Sequence, residues 1–158
     1  MKRRLCLALL WIAAGGSAQT TAKRPVTLAV HLLVGCPAGA ARTSVKVQTA
    51  AGPLCLDRQP FLTQDDVQSA EIQPSPKGHP MVFLTFHEDA AIRELQITKK
   101  NIGNRVGIVL NGRVVDTPLI AAASRLLYID AGFTQQQAEA VVSAFNRLVA
   151  SRKSGAGK

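Results

Sequence analysis

Three histidines, His31, His79 and His87, are the side chains of this chain that could serve as a general base or metal ligand near neutral pH. His79 and His87 lie eight positions apart across the apolar run Met81-Val82-Phe83-Leu84-Thr85-Phe86, which reads as a strand. They therefore flank opposite ends of it and do not share a metal ion. His31 falls opposite the Val/Leu face of another strand, so all three read as surface or turn residues. Hydrolysis would need a nucleophile beside a base, yet there is no G-x-S-x-G and the serines carry no local signature. Gly103 and Gly107 read as a helix stop and a strand position rather than a phosphate loop. Adjacent carboxylates at Asp65-Asp66 and Glu88-Asp89 sit at expected helix starts, where the helix dipole already accounts for them. These residues argue against an enzyme. They assign no catalytic residue, no metal and no cofactor, and they leave the ligand-binding residues unknown.

The remaining chemistry is in the cysteines and the N-terminus. Met1-Lys2-Arg3-Arg4 is a basic start, Leu5 to Ala14 an apolar run, and Gly15-Gly16-Ser17-Ala18 a small-residue segment before Gln19. That order describes a secretory signal over 1–18, and its apolar run is shorter than the roughly 20 residues of a spanning helix. An uncleaved N-terminal anchor is the alternative. The expected location is the periplasm or the medium. No later apolar stretch is long enough to span. The whole chain has 158 residues with 19 Lys and Arg against 10 Asp and Glu; removing 1–18 leaves 16 basic residues and a net +6. Nucleic acid is a poor partner for an exported chain whose single Trp, Trp11, lies in the signal. The charge instead favours solubility and weak contact with anionic surfaces. Cys36 and Cys55 are an even pair in an oxidising compartment and so are candidates for a structural disulfide; two isolated thiols remain the alternative.

Elements follow from periodicity. After a polar lead (19–25), Val26 to Leu32 alternates as a strand, Ser44 to Thr49 makes a second, and Leu54-Cys55-Leu56 a third. Thr63 caps a brief helix near Asp66, and Glu71-Ile72-Gln73 leads into a Pro74–Pro80 turn. Glu88 to Ile102 has helical spacing, with Ala91, Ile92, Leu95 and Ile102 as its apolar stripe and Gly103 as its stop. Val106, Ile108 and Leu110 share a strand face before Asn111-Gly112, a strong type I′ hairpin signal, and Val114-Val115. Tyr128-Ile129-Asp130 is a short strand. Thr134 with Gln137 is a capping box for a helix whose stripe is Ala138, Val141, Val142, Phe145, Leu148 and Val149. These elements predict an α+β fold: a mainly antiparallel sheet with two long amphipathic helices on one face, forming one domain over 26–150. Residues 151–158 read as a disordered basic tail.

One ordered series of motifs resembles a known family. Phe83-Leu84-Thr85, Thr98-Lys99-Lys100-Asn101-Ile102-Gly103, Asn111-Gly112-Arg113-Val114-Val115, Thr117-Pro118-Leu119-Ile120 and Ile129-Asp130-Ala131-Gly132-Phe133-Thr134 come in the order found in the head subdomain of the large periplasmic domain of SecD, the protein-export membrane subunit. Leu62-Thr63 with Asp65-Asp66-Val67 resembles the lead into that head. The resemblance marks Thr98, Asn101, Gly103, Asn111, Gly112, Pro118, Gly132 and Phe133 as structural positions. It departs from the family at Asn111, where aspartate is usual, and around Ser124-Arg125-Leu126, where a glycine is often found. SecD-type proteins carry six membrane helices and work with SecF on the proton gradient, and this sequence shows no counterpart of those helices. The resemblance implies a head-like fold and a non-catalytic module that engages extended polypeptide in the envelope. A structural or accessory envelope protein that holds a partner protein is the other reading.

If 1–18 is a signal, the exported form begins Gln19-Thr20-Thr21, which N-terminal sequencing of the extracytoplasmic fraction checks; intact Met1 in the membrane pellet contradicts it.

Overall fold

The structure is a computed structural model, and it describes residues 25–36, 44–49 and 51–155. The expected signal (1–18), all of the polar lead but Pro25, and residues 156–158 lie outside the described residues. The elements run β1 Leu28–Val34, β2 Ser44–Thr49, β3 Gly52–Asp57, β4 Leu62–Thr63, a 3-10 turn Gln64–Asp66, β5 Val67–Pro74 and β6 Pro80–Phe86. Then come α1 Glu88–Lys100, β7 Val106–Leu110, β8 Arg113–Asp116, β9 Leu127–Ile129 and α2 Gln135–Gly155.

Pairing is antiparallel in every named pair, but it produces two sheets rather than one. One has the order β2-β3-β1-β7-β8 with β4 also on β1, and the other is β5-β6-β9. The break falls at the 3-10 turn, where the Thr63 side chain accepts from Asp65 and the Asp66 carboxylate reaches back to the Thr63 amide at 2.7 Å. That reciprocal cap ends β4 and turns the chain out of the first sheet. Glu71-Ile72-Gln73 leads into the Pro74–Pro80 turn as expected, and it does so as the latter half of β5, paired with Met81 to Phe83.

Alternation decides what meets between the sheets. Val26, Leu28 and Val30 along the first strand and Val106, Ile108 and Leu110 on β7 face one core with Val82, Leu84 and Phe86 of β6 and Leu127 and Ile129 of β9. Ala90 and Ala91 of α1 and Ala138, Phe145 and Val149 of α2 complete it. Burial of this order, at about 25 cal/mol per Å² of apolar area, is the main force holding the two sheets together. α2 lies along β5 and β6. Its Asn146 side chain accepts from the Ala70 amide (3.2 Å) and donates to the Ala70 carbonyl (3.1 Å), covering the edge of β5 there.

Two helices differ from the sequence reading. The buried residues of α1 are Ala90, Ala91, Glu94 and Thr98, whereas Ile92 and Ile102 are exposed. The helix is thus rotated away from the stripe of large apolar residues, because polar groups of the segment crossing it need Thr98. α2 continues through Ser151–Gly155, where a loose tail was expected. Arg152 holds that turn by donating to the Gln64 and Asp65 carbonyls (3.1 Å each) and to Asp65 Oδ1 (2.6 Å).

The β2–β3 hairpin extends the first sheet beside the far half of β1. Cys36, just past β1, is disulfide-bonded to Cys55 in β3, with Cα atoms 5.2 Å apart. The bridge holds Leu56 over Gly107, where an added Cβ would lie 2.5 Å from Leu56 Cδ2 and 3.2 Å from Leu33 Cδ1. His31, paired with Gly107, places its Nδ1 2.8 Å from the Asp57 carbonyl oxygen.

At the hairpin joining β7 to β8, Asn111 has φ 51° and Gly112 φ 78°, both in the left-handed region. Asn111 Oδ1 also accepts from the Thr27 amide at 3.0 Å. Gly112→Val should cost about 1–3 kcal/mol, the range for forcing a β-branched residue into a sparsely allowed backbone region. Gly107→Ala should cost a similar amount for a different reason, displacement of the Leu56 and Leu33 methyls. Denaturant melts of both variants check this; a Gly112→Val chain as stable as wild type contradicts the turn.

Candidate functional site

The segment Thr117–Leu126, between β8 and β9, crosses the molecule as a strap. Its first half is tied to the end of β7: the Val106 amide donates to the Pro118 carbonyl (3.1 Å), and Arg105 Nη1 to the Thr117 carbonyl (2.7 Å). Ile120 donates to the Asn104 carbonyl (2.8 Å), and the Gly103 amide to the Ile120 carbonyl (2.9 Å). Gly103 has φ 89°, so the residue that stops α1 also turns its amide toward the strap. The second half is held to α1 by the Thr98 side chain and by an exposed ion pair, Arg125 Nη2 to Glu88 Oε1 at 3.4 Å. The Thr98 hydroxyl donates to the Glu94 carbonyl (2.8 Å) and accepts from the Ser124 amide (2.9 Å).

Between these attachments Ala121-Ala122-Ala123 stands exposed, and beneath it a groove of about 350 Å³ opens against α1. Phe61, Val106, Ile120 and Leu127 line its apolar wall, with Leu119 (53 % exposed), Leu126 (39 %) and Tyr128 (41 %) at the rim. Tyr128 is held by its cross-strand partner Phe83, ring centroids 4.8 Å apart.

Glu94 also lines the groove, and it is 2 % exposed. No hydrogen bond among the described residues reaches its Oε2. Burial pushes its carboxyl up from 4.5 to about 8, because the charged form has lost water and gained no partner. The neighbouring cation Arg93 is engaged elsewhere, donating to Asp66 Oδ1 (2.6 Å) and to the Phe61 carbonyl (2.8 Å). At neutral pH the groove is therefore an apolar surface with one protonated carboxyl in its wall.

The sequence-derived candidates divide between this site and the frame around it. Thr98 and Pro118 line the groove, and Gly103 holds the strap beside it through the Ile120 carbonyl. Asn101 closes α1, its Nδ2 donating to the Ile97 carbonyl (2.8 Å). Asn111 and Gly112 form the distant hairpin. Gly132, with φ 65°, and half-buried Phe133 lead into α2, where the Thr134 amide donates to Gln137 Oε1 (2.9 Å) and Gln137 donates back to Thr134 Oγ1 (3.2 Å). His79 and His87 lie at opposite ends of β6, and His79 Nε2 contacts Asp130 Oδ1 across the sheet. Asp116 accepts from the Asp130 and Thr117 amides, at 3.0 Å and 2.7 Å. Burial, opposed by these two hydrogen bonds, raises its carboxyl. Asp65 and Asp66, expected to serve a helix dipole, each take an arginine from a different helix. The described residues contain no group of three or more His, Cys, Asp or Glu able to hold a metal ion.

Comparison with known proteins places this geometry. The family described as "SecDF, P1 head subdomain" matches residues 41–146. The chain belongs to this family. The Thermus thermophilus protein translocase subunit SecDF is 41 % identical over 64 residues, 40 % of this chain and 9 % of that protein. The Aquifex aeolicus subunit SecD is 32 % identical over 84 residues, 52 % of this chain and 17 % of its own length. The chain thus spans a small part of either relative. Among solved structures, a SecDF described as a membrane component that enhances protein export superposes with a TM-score of 0.58 at 20 % identity, covering 77 % of this chain and 62 % of that one. A SecDF in its super-membrane-facing form gives 0.60 at 23 %, covering 76 % of this chain and 18 % of that one. At such identities these superpositions establish the fold alone. Among the described residues no helix is long and apolar enough to cross a membrane.

Glu94 is the residue of this head subdomain that sequence reasoning missed. Its signal was present: Glu94 lies three positions after Ala91 and four before Thr98, on the buried side of α1. The folded chain holds a proton on Glu94 that the unfolded chain releases between about pH 4.5 and 8, so this group lowers stability as pH rises through that window. Glu94→Gln removes the effect. Urea melts should show it more stable than wild type by about 2–4 kcal/mol at pH 9, and equal to it near pH 4. Parallel pH profiles for the two proteins contradict the assignment.

Proposed function

We propose that this chain is a non-catalytic, extracytoplasmic polypeptide-binding module connected with protein export, and that the groove beneath the strap takes an extended apolar segment. The observation that carries this reading is the groove itself: an apolar channel with exposed leucines and a tyrosine at its rim and no charged lining side chain except Glu94, which is protonated at neutral pH. Such a surface matches an uncharged stretch of unfolded chain better than a folded, polar protein face. The wall includes Leu127 and Tyr128 of β9, an edge strand, so a segment in the groove lies where it can add main-chain hydrogen bonds to β9. The opposite edge of that sheet, β5, is occupied at Ala70 by Asn146.

Membership of the P1 head family supports the link to export, since the relatives are protein translocase subunits and one solved neighbour is described as enhancing export. The signal-like residues 1–18 and the Cys36–Cys55 disulfide support a location outside the cytoplasm.

Fluorescence anisotropy with a labelled, permanently unfolded apolar peptide tests the reading. Wild type should bind it and should ignore a folded protein of the same composition. Leu119→Arg and Leu126→Arg, both at exposed rim positions, should weaken binding at least about tenfold with little change in melting temperature. Equal affinity in the rim variants contradicts the groove as the site.

A further inference from the structure

Glu94 is part of the wall of the groove that the proposed segment would fill. The carboxyl is 2 % exposed, its Oε2 has no partner among the described residues, and it lines the same wall as Phe61, Val106 and Leu127. A buried polar atom without a hydrogen bond is costly, and native structures rarely keep one without a use. Two polar neighbours on α1 are committed elsewhere: Thr98 to Glu94's own carbonyl and to Ser124, Arg93 to Asp66 and Phe61.

We propose that protonated Glu94 is the polar anchor of the groove, donating its O–H to a backbone carbonyl of the bound segment, so that binding requires the proton and weakens in alkali. This rests on the polypeptide-binding reading above and adds to it the regulation of the same site. The chemistry follows from the surroundings. The groups facing Glu94 come from α1 (Thr98), β7 (Val106), the loop before β4 (Phe61), the strap (Pro118 to Ser124, and Leu126) and β9 (Leu127, Tyr128). Of these, Tyr128 alone is titratable and none is a cation, so nothing in the wall stabilises a carboxylate. An apolar segment covering the groove excludes the remaining water and deepens the preference for the neutral acid. Neutral, the carboxyl offers both a donor and an acceptor, the pattern that an extended backbone presents at each residue. Ionised, it offers two acceptors and an unpaired charge under an apolar ligand, which costs far more than a lost hydrogen bond.

The pH dependence has a defined sign. With the carboxyl titrating near 8, about nine-tenths of the free protein is protonated at pH 7 and about one-tenth at pH 9, so affinity should fall about tenfold between them. Glu94→Gln keeps the shape and a donor but cannot ionise, and it should bind with the same affinity at both values. Glu94→Met removes the donor and should bind a few-fold more weakly than wild type at pH 7, with no pH dependence. Tyr128→Phe controls for the other ionisable group and should retain the wild-type fall.

The experiment is titration calorimetry of the wild-type chain and these variants with an unfolded, uncharged apolar peptide, at pH 7, 8 and 9 in buffers of different ionisation enthalpy. At pH 9 wild type should take up about nine-tenths of a proton on binding and Glu94→Gln none, a readout that a merely structural role for Glu94 would not produce. Binding that is equally flat with pH in wild type and Glu94→Gln, with no proton uptake, overturns the anchor and leaves the polypeptide-binding reading standing. Binding that strengthens in alkali, or that Glu94→Gln loses at pH 7, also overturns it, because the carboxylate would then be the active form. No binding by any variant at any pH sinks the anchor and the reading together.

Discussion

Two antiparallel sheets, each with one apolar face, can remove those faces from water only by turning them toward each other and the helices, and that requirement organises the molecule. Val26, Leu28 and Val30 meet β6 and β9 across a core that α1 and α2 complete. β8 and β9, neighbours in sequence, end up in different sheets. The chain between them has to cross from one sheet to the other, and the strap Thr117–Leu126 is that crossing. A crossing backbone carries amides and carbonyls that need partners. The end of β7, Asn104 and Thr98 supply them, and the side of α1 that carries Thr98 is therefore the side that turns inward. Glu94, one helical turn earlier, is carried in with it. The groove and its uncompensated carboxyl are consequences of how the two sheets are joined.

This explains which parts of the structure were legible in the sequence. Strand alternation, the Asn111-Gly112 turn and the Thr134–Gln137 capping box depend on neighbours within a few positions, and each is where the residue pattern puts it. Val106, Ile108 and Leu110 share the buried face that their spacing implies. The ordered motifs identified the P1 head family for the same reason, since they are turns, caps and stops. The bridge between Cys36 and Cys55, one of two open alternatives from sequence, is made possible by the pairing of β3 with the end of β1.

What the sequence did not reveal depends on partners far along the chain. The division into two sheets is decided by the reciprocal cap at Thr63 and Asp66, which resembles an ordinary helix start until its effect on strand pairing is known. The rotation of α1 is set by a hydrogen bond between Thr98 and Ser124, 26 positions apart, and counting large apolar residues selects Ile92 and Ile102 instead. The helical turn at Ser151–Gly155 is held by Arg152 reaching Asp65, 87 positions away. Asp65 and Asp66 read locally as dipole partners, yet they fasten α2 and α1 to the 3-10 turn.

The space between α1 and the strap is proposed as the place where this head subdomain meets polypeptide. The most direct measurement is amide chemical-shift mapping of the labelled chain during addition of an unfolded apolar peptide. The account predicts a continuous set of shifts over Glu94 to Thr98, Leu119 to Ser124 and Leu126 to Tyr128, with the β2–β3 hairpin and the outer edge of β5 unmoved. Saturable shifts confined to β2, β5 or the Asn111-Gly112 hairpin, with the strap silent, would contradict it.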